Sequence, residues 1–140
     1  MNITRDASAG QLVVLNFGQD ALAASQTDVQ LPVTIGEASQ AVTGYEAPFG
    51  GDVVAVAFSL SAAGSAGTLT VGATIGGTED ADTTITITTE TDGYLRVPRG
   101  KCSFVAGNQL GAEITTDGSW NGTSADLSVQ LYVLYALEGI

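Results

Sequence analysis

The stretch DLSVQLYVLYAL, residues 126–137, decides the fold. Leu127, Val129, Leu131, Val133, Tyr135 and Leu137 recur at every second position. A period of two is the spacing of one face of a β-strand and is incompatible with a helical stripe. The opposite face changes along the strand from Ser128 and Gln130 to Tyr132, Leu134 and Ala136. A strand that is apolar on both faces is normally covered on both. Tyr132, Leu134 and Ala136 are therefore expected to meet either a second sheet or another copy of the chain, which would make them an oligomer interface.

The same alternation runs upstream. In residues 68–75, Leu69, Val71, Ala73 and Ile75 point one way, and Thr70, Gly72 and Thr74 the other. Residues 53–60 are apolar on both faces, with Val54, Val56 and Phe58 opposing Val53, Ala55 and Ala57, which predicts a strand covered on both sides. Further strands are expected over 11–17, 29–35, 40–46, 94–98 and 109–116, and another in which Ile85 and Ile87 alternate with threonines until Asp92-Gly93. Gly, Asp, Asn or Pro punctuates the series at intervals of roughly ten residues, as in sandwiches and barrels. Pro48 with Gly50-Gly51, Gly76-Gly77 and Asp92-Gly93 supply turn signals. The alanine-rich piece within residues 18–28 is expected to form a short helical turn. The reading is an all-β chain of about eight antiparallel strands, a β-sandwich or barrel. Residues 11–140 make one domain, and residues 1–10, too short and small-rich to fold alone, make an N-terminal arm.

Charge narrows the function. Fifteen acidic residues face four basic ones, for a net charge of -11. Such a field opposes the counterion exchange that nucleic-acid binding needs and is repelled by anionic membrane surfaces. It favours solubility instead. No apolar stretch reaches the ~18 residues of a membrane span. The opening residues lack the apolar core of a secretory signal. The expectation is a protein made and kept in the cytoplasm unless it leaves in a particle.

Catalytic chemistry is poorly served. Histidine is absent, which removes Ser-His-Asp and Cys-His arrangements and imidazole zinc sites. Cys102 is the only cysteine, so no intrachain disulfide can form, and its apolar neighbours mark it as a small buried hydrophobe. The carboxylates sit mostly beside turn glycines or among threonines, and only Glu113 falls mid-strand. Solvated charge is favoured over a catalytic dyad, and neither a metal nor a cofactor is expected. Glu79, Asp80 and Asp82 could gather oxygens for calcium but lack the spacing of an EF-hand loop. A solvated turn is the expectation there. GSAG at 64–67 has no lysine after it, and the NGT acceptor at 121–123 carries little weight without a secretory signal.

Two features stand out. Arg96, Arg99 and Lys101, three of the four basic residues, lie in a run from 94 to 112 that has no acidic residue. They either neutralise nearby carboxylates or dock on an acidic partner or adjacent subunit. Trp120, alone in a polar turn, either caps the core or is presented as a binding anchor, and capping is favoured.

The segments RGKCSFVAGNQLG (99–111), ITTDGSW (114–120) and LSVQLYVLY (127–135), with TGYEAPFGG (43–51) and GTLTV (67–71) upstream, resemble small virion structural proteins of tailed bacteriophages. The resemblance is to capsid decoration (cement) proteins and the heads of short fibres. It implies a jelly-roll-like homotrimer on the virion surface that binds the major capsid protein and stabilises the shell without catalysis. The alternative it leaves is a receptor- or carbohydrate-binding fibre head, with Trp120 and the acidic turns lining the site.

Overall fold

The computed structural model describes residues 10–35, the backbone of 38–39, and residues 41–137. The expected arm, residues 1–10, lies outside them except for Gly10. In chain order the strands are β1 (Gln11–Gln19), β2 (Val29–Gln30), β3 (Thr34–Ile35), β4 (Ala38–Ser39), β5 (Tyr45–Glu46), β6 (Gly51–Leu60) and β7 (Leu69–Ile75). They continue as β8 (Thr78–Glu79), β9 (Ile85–Ile87), β10 (Asp92–Arg96), β11 (Ser103–Phe104), β12 (Gln109–Thr116) and β13 (Leu127–Tyr135).

The chain is all-β, and two antiparallel sheets form a β-sandwich. The five-stranded sheet runs β1-β13-β6, with β10 and β11 sharing the far edge of β6. In the six-stranded sheet β12 pairs with β7 on one side and with β2 and β5 on the other, while β8 and β9 pair with β7. β3 and β4 make a separate two-stranded ribbon. Phe17, Val56, Val129 and Leu131 of the first sheet and Leu69, Val71, Leu110 and Ile114 of the second belong to one core and are buried. Each fully buried side chain of this size contributes roughly 1.5–3 kcal/mol. Phe17 also meets the edge of Tyr45, ring centroids 5.5 Å apart.

One irregularity sets the facing of β6. Its pairing with β13 shifts between Tyr132 and Val133, leaving Val54 as the extra residue of a bulge. The bulge restores phase: Val53 joins Val56, Phe58 and Leu60 in the core, and Asp52 turns outward with Ala55 and Ala57.

Several expectations are corrected. The strand expected over 29–35 is broken at Pro32 into β2 and β3, and the one over 40–46 keeps only β5 among the described residues. The piece at 18–28 forms no helical turn. Ala21, Ser25 and Asp28 each adopt a positive φ, and Leu22 is anchored by its N–H on the Ala125 carbonyl at 3.0 Å. Asp92-Gly93 is not a turn but the start of β10, opposite Ser59 and Phe58. The chain bends earlier, where the Glu90 carboxylate accepts the N–H groups of Thr88 and Thr89. Gly93 is small for another reason: a Cβ there would stand 2.8 Å from the Phe58 ring. Gly76 and Gly77 do make a hairpin turn, with φ of 62° and 84°, the two positive values of a type I′ turn.

Candidate functional site

The register of the five-stranded sheet arranges its outward side chains in rows. Leu12, Leu134 and Asp52 form one row, and Val14, Tyr132, Ala55 and Arg96 the next. Asn16, Gln130, Ala57 and Tyr94 follow, then Gly18, Ser128, Ser59 and Asp92. In the two middle rows β6 contributes only alanines. Its line is therefore a trough between the side chains of β13 and β10, whose backbones lie about 9.6 Å apart at two strand spacings. The structure has a shallow groove here of about 480 Å³, with Ala55 and Ala57 as floor and Tyr94, Arg96 and Tyr132 around it.

This face is apolar for an exposed surface. Leu12 is 54% exposed, Val14 43% and Tyr94 71%. Tyr132 and Leu134 are half-buried, and Ala136 is exposed just beyond the strand end. The second sheet covers the other face of β13, where Leu127 to Tyr135 are buried at alternate positions. Of the two ways to cover Tyr132, Leu134 and Ala136, the second sheet is thus ruled out. Among the described residues β6 is likewise covered on one face only, which corrects the expectation for residues 53–60: Ala55 and Ala57 line the groove, and Val53, Val56, Phe58 and Leu60 enter the core.

The three clustered cations divide. Arg99 Nε lies 3.7 Å from Asp52 Oδ2, and Asp52 Oδ1 also accepts the Gly100 N–H at 3.1 Å and the Ser103 hydroxyl. Arg99 therefore balances a carboxylate of its own chain. Arg96 and Lys101 are exposed and make no ion pair among the described residues.

Trp120 is 3% exposed and caps the core, the favoured of its two readings; the alternative, a side chain presented to a partner, is corrected. Its ring is closed in by glycines: a Cβ on Gly64 would stand 2.9 Å from Cη2 and Cζ3, and one on Gly122 would collide with the same lobe. The turn is tied down beside it, since the Asn121 carboxamide oxygen accepts the N–H groups of Ser65 and Ala66 at 2.9 and 3.1 Å. The indole Nε1 is buried without a hydrogen-bond partner in the structure.

The outer face of the six-stranded sheet is polar and, around Gly72, Thr74 and Glu113, covered. Thr74, expected to face solvent, is buried and donates to Gln30 Oε1 at 3.1 Å. Gly72 is bare because the Glu79 carboxylate occupies the space of a side chain. Glu113 is 5% exposed and accepts from Gln30 Nε2 at 2.7 Å. Loss of solvent, and then the nearby Glu79 and Asp28 charges, push its carboxyl above the ordinary range, against the Gln30 hydrogen bond. The acidic turn is consumed locally. Asp80 Oδ1 accepts the Asp82 N–H at 2.9 Å, and Glu79 Oε1 accepts the Thr84 hydroxyl at 3.1 Å. Among the described residues no three His, Cys, Asp or Glu side chains are placed to hold one metal ion.

Cys102 is buried, and loss of solvent, followed by the negative charges of Asp80, Asp52 and Asp82, pushes its thiol up to about 12. At neutral pH it is protonated and a poor nucleophile. The surface feature with chemical character is the groove and its rim. Comparison with known protein families and with curated proteins finds no match for this chain.

Arg96, Tyr132 and Leu134, each expected at an interface, are brought together on this face, and Leu12, Val14 and Tyr94, for which no such role is expected, join them. The alternation of Ala55 and Ala57 between larger residues was the available signal for a trough, but it reads equally as tight packing.

Proposed function

We propose that this chain is a non-enzymatic structural protein of a phage virion, a capsid decoration protein that binds the outer surface of the major capsid protein and stabilises the shell. The observation that carries the reading is the pair Arg96 and Lys101, exposed and without ion pairs among the described residues, in a chain of net charge -11. Cations held clear of so many carboxylates are available to an acidic partner. Stabilisation follows from mass action, because a ligand that binds only the assembled shell adds its binding free energy to that state at every site.

Cosedimentation with undecorated capsids of the parent virus tests this. Arg96→Glu and Lys101→Glu should each weaken binding by about tenfold at low salt while leaving the melting temperature nearly unchanged, because exposed charges add little to stability. Binding by the unaltered protein should also decline between about 50 and about 300 mM salt as screening shortens. Arg99→Glu is the poorer probe, since it would set a carboxylate against Asp52. Affinity unchanged in both Arg96→Glu and Lys101→Glu at low salt would sink the cationic docking surface.

A further inference from the structure

We propose that a second copy of this chain docks face to face on the outer surface of the five-stranded sheet, about a two-fold axis parallel to the strands between β13 and β6, with Tyr132 of each copy seated in the alanine trough of the other. Three observations lead there.

The first is charge. Among the described residues, the charged side chains in these rows are Asp52, Asp92 and Arg96, and with Arg99, which pairs with Asp52 at the margin, they cancel. The whole net charge of -11 is carried elsewhere on the chain. Two copies that met through their acidic turns would bring like charges together, whereas two that meet here do not.

The second is relief. The chosen axis lays β13 of each copy over β6 of the other and β1 over β10, and it preserves the order of the rows. Tyr132 then stands over Ala55, Gln130 over Ala57, and Val14 over the aliphatic stem of Arg96. Tall side chains meet short ones at the centre of the contact. An axis one strand further, between β6 and β10, would leave β1 and β13 uncovered, with Leu12, Val14 and Leu134 still in water.

The third is extent. Four strands about 4.8 Å apart and four outward rows about 6.8 Å apart give a footprint on the order of 500 Å² before side-chain relief is counted. Standard interfaces bury about 800 Å² per partner, so the two areas are of the same order. A patch that faces itself is isologous and closes at two copies. A three-fold assembly would require a second, different surface.

Sedimentation equilibrium of the intact chain from ~1 to ~100 µM is the test, since mass action makes association concentration-dependent. The expected species has twice the 14.1 kDa chain mass. Ala57→Arg sets a charge in the trough and should weaken association by about 100-fold or more with the near-UV circular dichroism unchanged. Tyr132→Ser, which removes the inserted ring, should weaken it by about tenfold or more. Thr86→Arg, exposed on β9 of the six-stranded sheet, should leave it intact. A monomer throughout the range, including one whose trough takes a sugar instead, overturns the proposal. So does an oligomer of any order, a trimer among them, whose mass Ala57→Arg and Tyr132→Ser leave unchanged. No capsid enters the readout, so failure of this proposal is distinguishable from failure of the preceding one, with which it shares Arg96 but not Lys101.

Discussion

Replacing Gly122 with alanine tests the packing of the single tryptophan. An added Cβ would collide with Trp120 Cζ2 and stand 2.9 Å from Cε2 and 3.1 Å from Cη2. Ordinary carbon contacts lie at about 3.5–4.0 Å, so the ring or the turn must shift. The ring has little room, because Gly64 closes on Cη2 and Cζ3 of the same lobe. Gly122 is not in the left-handed region, so its backbone accepts alanine and the steric term is isolated. Overpacking of this kind costs about 1–3 kcal/mol, against a gain of roughly 0.5 kcal/mol from a stiffer unfolded chain. In a domain of this size each kcal/mol moves the melting temperature by about 3–4 °C, so a fall of roughly 2–10 °C is expected. Thermal unfolding by circular dichroism measures it, and the emission of the lone Trp120 should shift as the ring is displaced. Trp120→Phe removes the lobe that the Cβ strikes. In that background Gly122→Ala should cost at least about 1 kcal/mol less, as expected for residues in contact. An equal cost in both backgrounds would refute the clash as its cause.

Glu113→Gln should raise the melting temperature at pH 7. A carboxyl whose folded pKa exceeds its ordinary 4.5 loses stability as pH rises from that value through the folded one, so the advantage should vanish below about pH 4 in a pH series of thermal melts. An advantage that persisted at low pH would point to packing instead of charge. Cys102 should resist a thiol reagent at pH 8 in the native state and react fully in denaturant; rapid native labelling would contradict its burial. Phe17→Ala should lose about 3–5 kcal/mol, read from the urea midpoint, since Phe17 is fully buried in the core.

How far the fold was legible depends on what each residue's neighbours along the chain could say. In β13, β12 and β7 a period of two over seven residues or more left one interpretation, and these strands form as expected. Where the pattern was short or interrupted by Pro32, propensity overstated the strand. Asp92-Gly93 misled because a glycine that serves a turn and one that makes room for Phe58 look alike in sequence. The candidate site was less legible still. Arg96 and Tyr132 are 36 positions apart in the chain and share a row only because β6 lies between their strands. The bulge at Val54, which turns Asp52 outward, leaves no mark in the sequence.

By itself the sequence determined the all-β class, the alternating core faces, the unreactive setting of Cys102 and the concentration of cations in one acid-free run, because each depends on residue type and local period. Only the tertiary structure decided which apolar face the second sheet leaves uncovered, that Arg99 is engaged by Asp52 while Arg96 and Lys101 make no ion pair among the described residues, and that Trp120 is buried between glycines. The physical reason is that burial and pairing depend on strand order and register, which bring together residues that local pattern cannot relate.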